Sequence, residues 1–250
     1  MERLTLPRAP IVWRLATVQE SVAENAHAKT VVLDVPEWPG HVAGQHVDVR
    51  LTAEDGYQAQ RSYSIASAPE DDQVALTVER IDDGEVSPYL VDELRAGDEL
   101  EIRGPIGGHF TWRVQDGGPL LLVAGGSGLV PLMAMLRHHR AEDSTVDARL
   151  LLSARAWEDV LYRDELAQIA QSNGVRAHYT LTRAQPDGWT GFHGRVDAAM
   201  LTEVGPTPDE RPRIYVCGPT AFVEHTADLL IDLGHPPQAI RAERFGPTGG

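Results

Sequence analysis

Hydrophobic positions along the chain fall into two regimes. As far as about residue 115 they come in short alternating runs, TVVLDV, HVDVRL, RSYSIA and VALTVER, separated by the turn-forming stretches EWPG, EDG, IDDG and RAGD. Alternation with period two puts every second side chain on one face, the pattern of half-buried antiparallel strands. One helix is expected among them, because Ser87 and Pro88 form an N-cap and first-turn pair ahead of the helically spaced apolar residues of VSPYLVDEL. From Leu120 onward the runs LLLVA, ARLLLS, AHYTLT and IYVC are apolar almost throughout. Amphipathic stretches follow three of them: LVPLMAMLRHH, VLYRDELAQIA and FVEHTADLLIDL. Strands buried on both faces and alternating with helices imply a doubly wound parallel sheet. The stretch from Val114 to Pro119 reads as a linker. The predicted architecture is therefore an antiparallel six-stranded β-barrel over residues 1–115 followed by an α/β domain over residues 116–250.

Composition narrows the function classes. No apolar run approaches the eighteen or so residues that a spanning helix needs, which excludes membrane insertion by helices. The N-terminus MERLTLPRAP lacks the apolar core of a signal peptide, so a cytoplasmic address is expected. A net charge of −15 argues against a nucleic-acid backbone as partner. Cys217 is the single cysteine, which rules out an internal disulfide or a four-thiolate cluster and moves any iron–sulfur centre onto another molecule. No metal site is expected: His138 and His139 are adjacent on a predicted helix and point about 100° apart.

Two stretches carry candidate chemistry. In Leu121 to Pro131, LLVAGGSGLVP, a buried strand runs through Gly125, Gly126, Ser127 and Gly128 straight into a helix, so backbone N–H groups and the helix dipole converge on one point suited to phosphate. A tight strand-to-helix connection without a ligand accounts for the same residues. In Arg61-Ser62-Tyr63-Ser64, strand alternation puts a cation and a flat aromatic ring on one face, fitted to a phosphate beside a stacked ring. A cross-strand Arg–Tyr pair on a barrel surface is the alternative. Gly84-Glu85-Val86-Ser87 opens the predicted helix and offers a second anion-binding end. Two such candidates on two domains suggest two ligands meeting between them.

Taken in order, Arg61 to Ser64, the GxxS of Gly84 to Ser87, Gly97-Asp98 leading to Gly104-Pro105-Ile106-Gly107, Gly125 to Pro131, and Cys217-Gly218-Pro219 resemble the ferredoxin–NADP reductase superfamily, over nearly the whole chain. The resemblance implies an FAD-binding barrel and an NAD(P)-binding α/β domain. By similarity Arg61 would contact the FAD pyrophosphate, Tyr63 would pack on the flavin, Ser64 would sit near flavin N5, and Val86 and Ser87 would offer N–H groups to the pyrophosphate. Gly125 to Pro131 would hold the nucleotide diphosphate, Gly218 and Pro219 would shape the turn after the last long strand, and Cys217 would lie against the nicotinamide. Glu243-Arg244-Phe245 resembles the carboxylate-x-aromatic ending of plant-type members; Phe245 reads either as a ring covering the flavin or as core at the end of a strand. Ser62 stands where the family usually has proline.

The expected activity is hydride transfer from the nicotinamide to FAD, then release of single electrons to a separate acceptor, most simply a [2Fe–2S] ferredoxin, with Ser64, Cys217 and Glu243 nearest the reacting atoms. NADPH is favoured over NADH because Ser153 and Arg155 follow the second strand of the nucleotide domain and Arg183 the third, where NADPH-using relatives keep partners for the 2′-phosphate. Arg163 reads as a surface neighbour of Glu165. The chain is read as a monomer without a fused ferredoxin domain. Two other readings remain: an FAD-holding subunit of a larger redox or oxygenase complex, and an NAD(P)H:flavin reductase. A chain of charge −15 repels an acidic ferredoxin unless a local basic patch intervenes.

Overall fold

The computed structural model describes residues 11–171 and 174–245. Its first half holds strands β1 (Trp13–Ala23), β2 (Ala28–Asp34), β3 (His46–Thr52), β4 (Gln58–Ser64), β5 (Val74–Glu79) and β6 (Glu99–Ile106). They form one antiparallel sheet in the order β4-β3-β6-β1-β2-β5. A bridge from Ile65, just past β4, to Leu76 of β5 brings the two edges together and curls the sheet into a barrel. Alternation decides what fills it: Ala16 and Val18, Val31 and Leu33, Val47 and Val49, Leu76 and Val78, and Leu100 and Ile102 all point into one buried cluster.

The helix expected after Ser87 is shorter and begins differently. It spans Tyr89–Glu93, Pro88 caps it with no side-chain bond, and the Ser87 hydroxyl instead accepts from the Ile81 N–H at 3.1 Å. Ser87 thus ties the helix back to the preceding loop. Leu90 and Leu94 from this segment join the barrel core.

The second half holds β7 (Leu120–Gly125), α1 (Leu129–Ala141), β8 (Ala148–Ala154), α2 (Arg163–Ile169), β9 (Val175–Leu181), β10 (Phe192–His193), α3 (Ala198–Val204), β11 (Arg213–Pro219), α4 (Thr220–Asp232) and β12 (Ile240–Phe245). The sheet is parallel, in the order β10-β9-β8-β7-β11-β12. Leu120, Leu122 and Ala124 pack under α1 and α2, while Leu121 and Val123 pack against α3 and α4. Both faces are covered, which is why β7 is buried along its whole length. From β7 the chain winds outward through β8 to β10, then returns to the other side of β7 with β11 and β12. The carboxyl ends of β7 and β11 therefore flank a topological switch point, where doubly wound sheets bind ligands. No helix among the described residues is long and apolar enough to cross a membrane.

Polar contacts join the halves. Arg137 of α1 makes a two-bond pair with Glu165 at 2.9 and 2.6 Å and donates to the Ala66 carbonyl at 2.7 Å. Glu165 is thereby occupied by Arg137, not by Arg163 as its spacing had suggested. His138 Nδ1 lies 2.7 Å from Glu70 Oε1, and His139 Nε2 lies 2.8 Å from the Val146 carbonyl, so the two imidazoles serve separate structural contacts.

Candidate functional site

A cavity of about 400 Å³ opens where the barrel meets the carboxyl edge of the parallel sheet. β4 supplies one wall, with Arg61, Ser62, Tyr63 and Ser64 all lining it. Burial pushes the Tyr63 phenol well up, so it stays protonated and presents a neutral aromatic surface. The Ser62 hydroxyl donates to Asp48 at 2.6 Å, and Arg103 holds the other oxygen of Asp48 at 2.6 Å, which fixes the strand's backbone beside the cavity. Ser64 is buried, and register sets it opposite His46 of β3, which also lines the space.

The rim comes from Gly84, Glu85, Val86 and Ser87. A Cβ on Gly84 would stand 2.9 Å from the Ser87 hydroxyl and 3.0 Å from the Ile81 carbonyl, so a side chain there would crowd the tight return of this loop. Arg61 Nη2 is not free: it pairs with Glu85 at 2.8 Å.

From the other side, β7 ends at Gly125, the turn Gly126–Gly128 follows, and α1 begins at once. Gly126 has φ +55° with open space around it, whereas a Cβ on Gly128 would lie 2.1 Å from the Cys217 carbonyl oxygen. The turn thus presses directly on β11, leaving its amides at the head of α1 and Ser127 on the cavity wall. Gly125 lies beside Ser153 of β8 in register. These are the features that admit a diphosphate: backbone without side chains and a helix start aimed at it.

β12 brings the remaining groups. Register aligns Cys217 with Glu243, Gly218 with Arg244 and Pro219 with Phe245. Glu243 and Phe245 line the cavity; residues 246–250 lie outside the described residues. One carboxylate oxygen of Glu243 is buried without a partner, and burial raises this acid to about 7. Its other oxygen is 3.9 Å from His46 Nδ1. Burial also lowers His46, so at neutral pH this contact is not a full ion pair. An orphaned carboxyl next to an apolar cavity fits a ligand that brings its own hydrogen-bonding edge. Cys217 is wholly buried beneath the strand ends, behind the residues that line the cavity. Burial, then the nearby Glu243, pushes its thiol well up, so it is not a thiolate nucleophile.

Ser153, Arg155 and Arg183 form a separate cluster beyond the cavity. The Arg183 and Ala184 amides both donate to the Arg155 carbonyl, at 2.8 and 3.2 Å, which binds the loops after β8 and β9 together. Both arginines are exposed, and among the described residues neither makes an ion pair. Trp157, two residues past Arg155, packs edge to face on Tyr179 and at a tilt of 51° against Trp189. Sequence reasoning missed His46, Thr77 and Glu79 on the cavity wall, since each is brought there only by strand pairing.

Comparison with known proteins fits this geometry. The profile described as oxidoreductase FAD-binding domain matches residues 15–112, and that described as oxidoreductase NAD-binding domain matches residues 122–228. The chain is 36% identical to ferredoxin–NADP reductase B of Sorangium cellulosum, covering 91% of each. It is 34% identical to the glycine betaine monooxygenase reductase subunit of Chromohalobacter salexigens over 82% of this chain but only 56% of that protein, so it spans about half the length of that relative. Among solved structures, the Amycolatopsis cytochrome P450 reductase superposes with a TM-score of 0.84 at 30% identity, over 96% of this chain and 72% of that one.

Proposed function

The chain belongs to the ferredoxin–NADP reductase superfamily of flavoprotein oxidoreductases, and from that premise we propose that it carries electrons from NADPH through FAD to a separate one-electron acceptor protein, a [2Fe–2S] ferredoxin in the first instance. The observation that carries the reading is the meeting of Ser64, His46 and Glu243 in one cavity, because it sets the barrel strand fitted to a flavin against the strand ends fitted to a nicotinamide. When bound, FAD supplies the conversion of a transferred hydride into single electrons. The chain's own work is placement. Arg61 and the Gly84–Ser87 loop hold a diphosphate at the barrel rim, and Tyr63 offers a flat neutral face. The Gly125–Gly128 turn holds the second nucleotide at the switch point, while Cys217 backs Glu243 from the neighbouring strand. Glu243 and Ser64 offer hydrogen bonds to the reacting edge. The same reading divides the chain into a flavin unit over residues 1–115 and a nucleotide unit over 116–250, although Phe110 and Trp112 pack into the core beneath α1.

Preference for NADPH follows from Arg155 and Arg183, which make no ion pair among the described residues and stand on hydrogen-bonded loops at the carboxyl ends of β8 and β9, where a 2′-phosphate would meet both. The test is anaerobic reduction of the purified flavoprotein by each nucleotide. NADPH should give the higher kcat/KM with an artificial acceptor, and Arg155→Ala with Arg183→Ala should lower that ratio about tenfold or more without weakening NADH use. A protein reduced by neither nucleotide would overturn the assignment, and an NADH preference would overturn the choice of nucleotide alone.

A second acceptor class is favoured by a specific likeness: relatives at 30–34% identity are reductase partners of a monooxygenase and of a cytochrome P450. Reduction assays against a ferredoxin, an oxygenase component and free flavin separate these outcomes.

A further inference from the structure

One contact in the cavity wall stands where the cofactor's diphosphate would go. Arg61 Nη2 donates to one oxygen of Glu85 at 2.8 Å, and the other oxygen accepts from the Tyr57 hydroxyl at 2.5 Å. Arg61 and Glu85 both line the cavity, while Tyr57, on the exposed turn between β3 and β4, reaches Glu85 without lining it. The Tyr57 hydroxyl, with help from the Arg61 guanidinium, holds the Glu85 carboxyl below the usual carboxylate range. Glu85 is therefore an anion across physiological pH.

A carboxylate at the rim, paired to the arginine that a diphosphate cradle would use, opposes the ligand that the cradle fits. A diphosphate approaching Arg61 must either displace Glu85 or share the guanidinium with it at close range, where like charges repel. The Tyr57 bond gives the carboxylate somewhere to stay once Arg61 is taken. We propose that Glu85 is an internal substitute for the FAD diphosphate: it neutralises Arg61 before the cofactor enters, gives Arg61 up when the diphosphate arrives while remaining on Tyr57, and thereby limits how tightly FAD is held. This rests on the reading of the cavity as an FAD site and deepens it, since cofactor retention separates a resident flavoprotein from an enzyme that exchanges flavin.

The test is FAD binding to deflavinated protein, followed by quenching of flavin fluorescence, at low and high salt. Glu85→Gln should bind FAD about fivefold more tightly, mainly through slower release. It should also show the steeper loss of affinity with salt, because in the native chain one anion merely replaces another on Arg61, whereas the variant forms a new ion pair. Tyr57→Phe should shift release in the same direction by less, and Glu54→Gln, an exposed charge of the β3–β4 turn that does not line the cavity, should change nothing. If the native chain binds FAD and Glu85→Gln binds it no more tightly, the proposal fails while the FAD reading stands. A native chain that takes up no FAD overturns both. Should Glu85→Gln not fold, an unchanged release rate in Tyr57→Phe overturns the proposal.

Discussion

At the scale of single residues, burial decides which groups respond to pH. Glu243 is raised to about 7 from an ordinary value of 4.5 because it sits at the strand ends with one oxygen lacking a partner. The folded state therefore binds this proton more tightly than the unfolded chain does. The stability it contributes is complete below about 4.5 and is lost as pH rises through 7. Thermal melts of the native chain and Glu243→Gln should show the native chain losing ground to the variant between pH 5 and pH 8; a constant difference across that window would remove Glu243 as its source. Cys217 gives the complementary case. Its thiol is wholly buried and held protonated, so a thiol reagent should label no sulfur in the folded protein and one per chain after denaturation. Labelling of the folded chain at the rate of a free thiol would contradict the packing. The sequence pattern made Cys217 and Glu243 candidates separately, but their adjacency is a property of strand register, which no local pattern reveals.

At the scale of elements, the legible parts were those whose periodicity is enforced by burial on known faces. β7 and α1 were readable because every residue of the strand is inside and the helix follows after only a three-residue turn. The short helix near Ser87 was legible in place but not in form, because its residues answer to the barrel core and to Ile81 more than to helical capping. α3 and β10 lay hidden in the looser segment after β9, since α3 is only seven residues long and β10 only two. The glycine turn was legible in composition, yet the demands on its members differ. Gly128→Ala must push α1 away from the Cys217 carbonyl, at a cost of about 1–3 kcal/mol. Gly126→Ala meets open space and carries only the left-handed backbone penalty, about 1 kcal/mol. Melting curves should rank the losses in that order, with nucleotide affinity falling more in Gly128→Ala; equal losses would show that the turn does not bear on β11.

At the scale of the whole molecule, the site exists only if barrel and sheet keep their relative placement, and the residues that enforce this lie outside the cavity. Arg137 is the centre of one such joint. Its guanidinium takes both oxygens of Glu165, donates to the Ala66 carbonyl just past β4, and lies 4.8 Å from the Tyr162 ring centre. Tyr162 is buried in a left-handed conformation at φ +54°, which a bulky residue adopts only when its surroundings hold it. They do so from both halves: Arg137 packs on its ring from the nucleotide half, while from the barrel its hydroxyl bonds Thr77 on the cavity wall and Glu24 accepts from its amide at 3.3 Å. Thr77 in turn bonds Thr30 at 2.7 Å, and Thr30 donates to the other oxygen of Glu24 at 2.5 Å. This closed polar circuit runs from the nucleotide half to the flavin wall with its members satisfied, so removing one strands the rest. Arg137→Met keeps the apolar stem but leaves Glu165 without its cation and Ala66 without its donor, a loss of about 2 kcal/mol or more for a mostly buried pair. Calorimetry should show one cooperative transition for the native chain and, in Arg137→Met, a lower and broader one whose calorimetric enthalpy exceeds the van't Hoff value as the halves uncouple. Arg137→Lys, which keeps the charge but loses the forked geometry, should fall between the two. A melting temperature unchanged in Arg137→Met would mean that apolar packing alone sets the angle at which the two nucleotide sites face each other.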